Sequence, residues 1–333
     1  MMRPWVASSR TAILTTALLA AAALPVSAQS APGARPAAAA PATSALEVLP
    51  VQGNVYLIAG AGANITAQVG PDGIVLVDAG NGTASAAVVA ALKALTPQPI
   101  RVIITTGGDA DHIGGTEALG AAGQPLSGPP LPVFGAEALL LRLSALTGAA
   151  AVPGALWPTD TFLDKTNLYL NGEAIQIVHE PAAHSDGDST VFFRRSDVVA
   201  AGDILDLTRF PVIDVAAGGS IQGELAALNR LVDLVIPPTP LTWEAGGTKV
   251  VPGHGWICEQ ADVVEYRDML TVIRDVVADL IAQGLTLEQV QAAQPTRGYT
   301  RQYGAETGPW TTKQFVAAVY QSLKAAPAAE KKQ

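Results

Sequence analysis

Four short stretches of this chain place side chains able to hold a divalent metal in glycine-rich loops. They are Thr106-Gly107-Gly108-Asp109-Ala110-Asp111-His112-Ile113-Gly114-Gly115, Ala183-His184-Ser185-Asp186-Gly187-Asp188, Ala201-Gly202-Asp203 and Pro252-Gly253-His254-Gly255. Imidazole and carboxylate are good ligands for divalent ions, and glycines beside them let backbone and side chains crowd around one ion. The whole chain has four histidines, and three of them (His112, His184 and His254) fall in these stretches. A metal held this way lowers the pKa of its water toward neutrality and polarises a substrate oxygen, which is the chemistry of metal-assisted hydrolysis.

Such loops need strands to aim them. Alternating apolar and β-branched residues predict strands at about Val55 to Ile58, Ile65 to Val69 and Ile74 to Val77, separated by Gly-rich and Pro-Asp-Gly turns. After Asp78-Ala79-Gly80-Asn81-Gly82 an alanine-rich helix runs to about Leu95, and Arg101 to Thr105 reads as a buried strand. Further strands are expected at about Ala174 to His179, Thr190 to Phe193, Val198 to Ala201 and Lys249 to Val251, with helices near Thr116 to Ala122, Ala136 to Ala145 and Ile221 to Leu234. Each metal-capable stretch then follows a strand, where α/β folds tend to keep their chemistry. From Ala261 to Ala282, Tyr266, Leu270, Ile273, Val277 and Leu280 step by threes and fours, as one face of an amphipathic helix must. Helices near Leu287 to Ala293 and Thr312 to Leu323 follow. The fold class expected is an α/β sandwich of two sheets with helices outside them and a C-terminal helical extension.

Composition narrows the functions. The 333 residues carry a net charge of −9, so nothing neutralises phosphates and nucleic acid is not an expected partner. A single cysteine, Cys258, excludes an internal disulfide framework and a Cys-rich zinc site. Arg3 and Arg10, an apolar stretch from Thr11 to Val26 and the small-x-small run Val26-Ser27-Ala28 read as a signal peptide over residues 1–28. Residues 29–45, rich in Ala and Pro, read as a mobile linker. No apolar run beyond it reaches the roughly 18 residues that span a bilayer. A periplasmic or secreted protein is expected, with folded structure beginning near Leu46. The main domain is placed at 46–260 and the C-terminal helices at 261–333.

The five segments, Val77-Asp78-Ala79-Gly80 and the four metal-capable stretches, are each weak alone. In this order and spacing the chain resembles the metallo-β-lactamase-fold superfamily, most closely its secreted glyoxalase-II-like and cyclase-like hydrolases, over about Leu46 to Asp268 and on into the C-terminal helices. The resemblance implies an αββα sandwich and a two-metal site signed by H-x-H-x-D-H. Here those positions read Gly107, Gly108, Asp109, Ala110, Asp111 and His112, so both leading histidines are gone. The first site is left with Asp109, His184 and Asp203. The second is complete, with Asp111, His112, His254 and the normally bridging Asp203. Two imidazoles and two carboxylates can hold one Zn²⁺; the first site, poorer in nitrogen, is expected to bind Zn²⁺, Mn²⁺ or Fe²⁺ more weakly.

This implies an exported hydrolase that attacks an ester, thioester, lactone or amide of a small molecule with a metal-bound hydroxide, working mainly from the second site. One subclass of metallo-β-lactamases works with a metal in that site alone. Asp111 would orient the water or accept its proton, and His184 would serve as acid, base or oxyanion partner where no metal claims it. The alternative is a degenerate member that binds metal or a small ligand without turnover. Loss of the leading histidines argues against an iron dioxygenase, and fold does not fix a β-lactam as the substrate.

Each residue also has a plainer reading. Asp111 and His112 could cap a helix that starts near Gly114, Asp203 could be a turn residue and Asp109 an exposed loop carboxylate. His179 reads as structural, Asp186 as solvent-facing and Cys258 as a lone structural thiol, while Trp256 fits a pocket wall or the core. Asp78 and Asp188 read as carboxylates that tie down the ligand loops. Specificity is expected from loops 124–131, 146–157 and 208–219.

Overall fold

The computed structural model describes residues 46–238 and 246–325. The expected signal peptide and linker lie outside the described residues.

The chain opens with an antiparallel meander, β1 (Glu47–Gln52), β2 (Val55–Ala59), β3 (Ile65–Gly70) and β4 (Gly73–Val77). Helix α1 (Ser85–Leu95) then carries it to β5 (Ile100–Ile104), parallel to β4. Helices α2 (Ala110–Ile113) and α3 (Thr116–Ala122) lead to β6 (Val133–Ala136), and α4 (Glu137–Ala145) leads to β7 (Asp160–Phe162). These seven strands form one sheet in sequence order. The second sheet has the order β12-β11-β10-β9-β8, built from β8 (Lys165–Leu170), β9 (Glu173–Glu180), β10 (Asp188–Phe193), β11 (Val198–Asp206) and β12 (Lys249–His254). Helix α5 (Ile221–Leu234) connects its last two strands, which run parallel. Four helices close the described chain: α6 (Gln260–Ala282), α7 (Leu287–Ala292), α8 (Thr300–Tyr303) and α9 (Thr312–Ala325).

Three apolar clusters separate four layers. Val75, Val77, Val102 and Ile104 of the first sheet meet Ile175, Ile177, Val191 and Phe193 of the second. Their neighbours Ile74, Leu76 and Ile103 face the other way, onto Val88 and Leu92 of α1 and Leu119 of α3. This is the period-two alternation of a strand buried on both faces, and it explains the unbroken apolar run from Ile74 to Val77. On the far side Val199, Ala201 and Val250 pack under Leu228, Tyr266, Leu270, Ile273, Phe315 and Val319. Each such side chain contributes about 1.5–3 kcal/mol by leaving water. The C-terminal helices thus share one core with the second sheet, and the αββα sandwich expected from the sequence is the fold.

Of the α6 positions chosen by periodicity, Tyr266, Leu270, Ile273 and Val277 are buried; Leu280 packs only partly buried against the cluster. The sequence pattern missed β1, β6, β7 and β8. In β8 exposed and half-buried residues alternate, with Tyr169 pointing to solvent, so this edge strand carries no run of core residues. Two strands reach further than expected: β11 runs to Asp206 and β12 to His254, with register shifts at Gly202, whose φ is 54°. Asp203 therefore stands inside a distorted strand, where the sequence placed a loop just past its end.

Candidate metal centre

All six metal-capable residues meet at one end of the sandwich. Asp109, Asp111 and His112 follow the C-terminal end of β5, His184 lies in the turn between β9 and β10, Asp203 on β11, and His254 at the end of β12. Donor atoms of Asp111, His112 and His254 lie within 4.8 Å of one another, and so do those of Asp109, His184 and Asp203. His112 Nε2 is 3.1 Å from Asp203 Oδ1, and His254 Nε2 is 3.4 Å from both Asp203 Oδ1 and Asp111 Oδ2. A tetrahedral ion with bonds of about 2.0–2.2 Å has donor–donor edges of roughly 3.3–3.6 Å. The observed spacings are close to that.

The tautomers are set from behind. Asp78 has φ 66°, a left-handed conformation that Asp tolerates better than most residues. Its N–H donates to Ile104 O, and its carboxylate accepts from Thr106 N at 2.8 Å and Thr106 Oγ1 at 2.7 Å. Asp78 Oδ2 also lies 2.9 Å from His112 Nδ1. Nδ1–H is thereby committed to Asp78, leaving Nε2 to face the cluster. That Nε2 is fully buried and has no hydrogen-bond partner among the described residues. An orphaned buried imidazole nitrogen between two carboxylates and a second imidazole fits a divalent ion.

His184 is held in the same manner. Its Nδ1 donates to Val212 O at 2.7 Å, which aims Nε2 at Asp109 Oδ2, 3.2 Å away. Asp188 accepts from Ser185 N and Ser185 Oγ, fixing the turn that carries His184. Val212 belongs to a loop tied to the C-terminal helices. Phe210 stacks on Phe315 with centroids 4.7 Å apart, Phe210 N donates to Tyr303 O, and Trp310 Nε1 donates to Pro211 O.

In the metal-free chain the charges lock together. Burial opposes ionisation of Asp203, yet the imidazoles of His112, His184 and His254 hold its carboxyl far below the usual range. Burial pushes His184 down, but Asp109, Asp203 and Asp188 more than offset it and leave the imidazole at about 10. His112 is likewise raised by Asp203 and Asp78 against burial. The hydrogen bond from His184 lowers Asp109, whose side chain remains half exposed.

The plainer readings fare unevenly. Asp111 and His112 lie within α2, so they do not cap a later helix; the cap position falls to Asp109, which makes no side-chain cap bond. His179 is occupied structurally, with Nδ1 on Leu163 O and Nε2 on Asp186 O. Asp186 faces solvent as expected, with its side chain 43% exposed, and also pairs with Arg142 Nε at 2.7 Å. Trp256 is 42% exposed, and Cys258 is buried, its thiol pushed up by that burial. Loop 208–219 borders the site through Val212 and Asp214, whose N–H donates to His184 O. Loop 124–131 does not. Gln124 N donates to Ile100 O at the N-terminal end of β5, opposite the end that carries Asp109. Because β5 and β6 run parallel, the chain between them must return to the far end of the sheet, and α3 carries it there.

Two contributors escaped the sequence reading, Thr106 and Val212, and so did one buried acid, Glu224. Val212 acts through its carbonyl, which no residue type announces. Glu224 on α5 is fully buried with neither carboxylate oxygen partnered among the described residues, and burial pushes its carboxyl well up.

Comparisons with known proteins agree with this architecture. The family model described as "Metallo-beta-lactamase superfamily" matches residues 48–254. A linear primary-alkylsulfatase of Pseudomonas sp. (strain ATCC 19151) is 23% identical over 303 residues, covering 75% of this chain and 54% of that protein. The chain thus spans about half the length of this curated relative. Among solved structures, a metallo-beta-lactamase from Pontibacter korlensis is 19% identical with a TM-score of 0.53, over 68% of this chain and 99% of that one. A double mutant of the sec-alkyl sulfatase PisA1 is 15% identical with a TM-score of 0.61, over 83% and 50%. At these identities the likeness of structures speaks for the fold alone. The family model takes in every strand from β2 to β12 and all six converging residues, and the chain belongs to the metallo-beta-lactamase superfamily.

Proposed function

We propose that this protein is an exported, periplasmic or secreted, metal-dependent hydrolase of a small-molecule ester, thioester, lactone or amide. The observation that carries the reading is the near-tetrahedral donor spacing around the orphaned His112 Nε2. Asp111, His112, Asp203 and His254 would hold one Zn²⁺. Asp109, His184 and Asp203, with one imidazole and two carboxylates, make a weaker position suited to Zn²⁺, Mn²⁺ or Fe²⁺. A divalent ion so bound supplies Lewis acidity and brings the pKa of a water toward neutrality.

The chain's own groups do the rest. Asp111, about one-third exposed, orients the attacking water and accepts its proton. Where no metal claims it, His184 serves as acid, base or oxyanion partner, with Val212 holding Nδ1 so that Nε2 faces the cluster. Asp78 and Thr106 keep His112 turned inward.

Metal analysis of the chain after reconstitution with Zn²⁺, Mn²⁺ and Fe²⁺ is the first test; no bound metal sinks the reading. A chromogenic panel of esters, lactones, thioesters and β-lactams follows. Relatives are named as alkyl sulfatases, so an alkyl sulfate belongs in it. Turnover that disappears in Asp111→Ala is expected. One tightly bound metal with no turnover on any substrate favours a protein that binds metal or a small ligand without catalysis.

A further inference from the structure

The place of the missing first histidine is open, unlike its glycine neighbours. A Cβ added to Gly108 would fall 2.8 Å from Leu139, one on Gly187 2.7 Å from Leu139, one on Gly202 2.5 Å from Thr106 and one on Gly253 2.7 Å from Asp203. At Gly107 the nearest atom is Asp188 Oδ1, at 3.8 Å, and nothing else lies within 4 Å. Ser189 N donates to Thr106 O, pinning this loop against the start of β10, so the space is held by the fold. The residue itself is buried, and its N–H finds no acceptor among the described residues. A buried backbone N–H without an acceptor is rare, and a group placed there relieves it.

We infer that the Gly107 position is a substrate subsite that takes a hydroxyl group. This rests on the proposed hydrolase reading and names a feature of its substrate. Gly107 N–H can only donate, and Asp188 Oδ1 presents a carboxylate that already accepts from Ser185 Oγ and has further lone pairs. A hydroxyl accepts from the first and donates to the second. An anionic group is repelled by Asp188, an amide N–H leaves Gly107 unsatisfied, and a methyl group satisfies neither. Asp188 opens β10 and accepts from Ser185, the residue after His184, so the subsite adjoins the turn that carries His184 and the hydroxyl it takes sits on the substrate close to the reacting bond.

The test uses the full-length zinc-loaded chain and the p-nitrophenyl esters of 2-hydroxybutyrate, 3-hydroxybutyrate and butyrate. A site built around a hydroxyl rejects the analogue lacking it, so kcat/KM for one hydroxy ester is expected to exceed that for butyrate by at least about ten-fold. Gly107→Ala puts a methyl group in the space at a backbone conformation alanine accepts, and should bring that ratio near one, with zinc content measured alongside. Equal rates in the natural chain, or a ratio that survives Gly107→Ala, overturn the subsite. If none of these esters is hydrolysed, the hydrolase reading stays with the wider substrate panel, and the subsite is read by titration calorimetry with the free acids. Either hydroxybutyrate binding at least about ten-fold tighter than butyrate, with the difference lost in Gly107→Ala, supports it; equal affinities overturn it.

Discussion

Asp78 Oδ2 lies 2.9 Å from His112 Nδ1, and the same carboxylate accepts two hydrogen bonds from Thr106. One strained residue at the end of β4 thus fixes both the loop after β5 and the tautomer of its histidine. Asp78→Ala is expected to weaken metal binding by about 10–100-fold, read by competition with a chromophoric chelator. Asp78→Asn should fall between the two. Unchanged affinity in Asp78→Ala would mean that His112 is aimed by packing alone.

The open space at Gly107 also predicts that the family pattern can be restored. Gly107→His with Asp109→His brings the first site to three imidazoles, counting His184, and meets no clash at position 107, where the nearest atom to the new Cβ is 3.8 Å away. Metal content should rise from about one ion per chain to about two. A stoichiometry that stays near one would show that the vacancy is too small for a ring.

His184 sets a pH dependence. In the metal-free fold burial lowers it, but Asp109, Asp203 and Asp188 raise it from 6.5 to about 10. A histidine raised on folding stabilises fully below its unfolded value and loses that contribution as pH climbs through its folded one. The metal-free chain should therefore melt at a lower temperature at pH 10 than at pH 7, and His184→Gln should flatten the difference. Metal uptake at Asp109, His184 and Asp203 must displace that proton, so it should weaken as pH falls.

Glu224 stands in the core under α5 with both oxygens unpartnered among the described residues. Replacing an unsatisfied buried carboxyl by an apolar side chain of similar length removes its desolvation cost. Glu224→Met is expected to stabilise the chain by about 1–3 kcal/mol, measured by urea denaturation. A loss of stability would reveal an ordered partner, such as a buried water, at this position.

Phe315 reaches the metal centre from a distance. It stacks on Phe210, two residues before the Val212 carbonyl that orients His184. Phe315→Ala should cost about 3–5 kcal/mol and, in addition, lower the pKa of His184, followed by NMR titration of its ring. A stability loss with an unmoved titration would separate the two roles.

Much of this was legible in the letters. The strands that aim the ligands are buried on both faces, so Ile74 to Val77 and Arg101 to Thr105 announce themselves as apolar runs, and the histidines and aspartates after them stand out against glycine. Periodicity likewise found the buried face of α6. What stayed hidden has physical reasons. Edge strands such as β8 have no apolar run, the register shifts at Gly202 depend on a neighbour in space, and the partners of His184 and Gly107 are a carbonyl and an N–H that every residue carries. That loop 124–131 lies at the wrong end of the sheet follows from the crossover between parallel β5 and β6, and β6 was not expected from the sequence.

The clamp between Phe210 and Phe315 also gives the molecule an order of assembly. All six metal-capable side chains precede Phe315 in the chain, but the loop that seats His184 cannot gain its aromatic clamp until α9 has packed. A chain cut short of α9 would carry every candidate ligand and still leave His184 without that clamp, so a helix that contributes no ligand takes part in building the site.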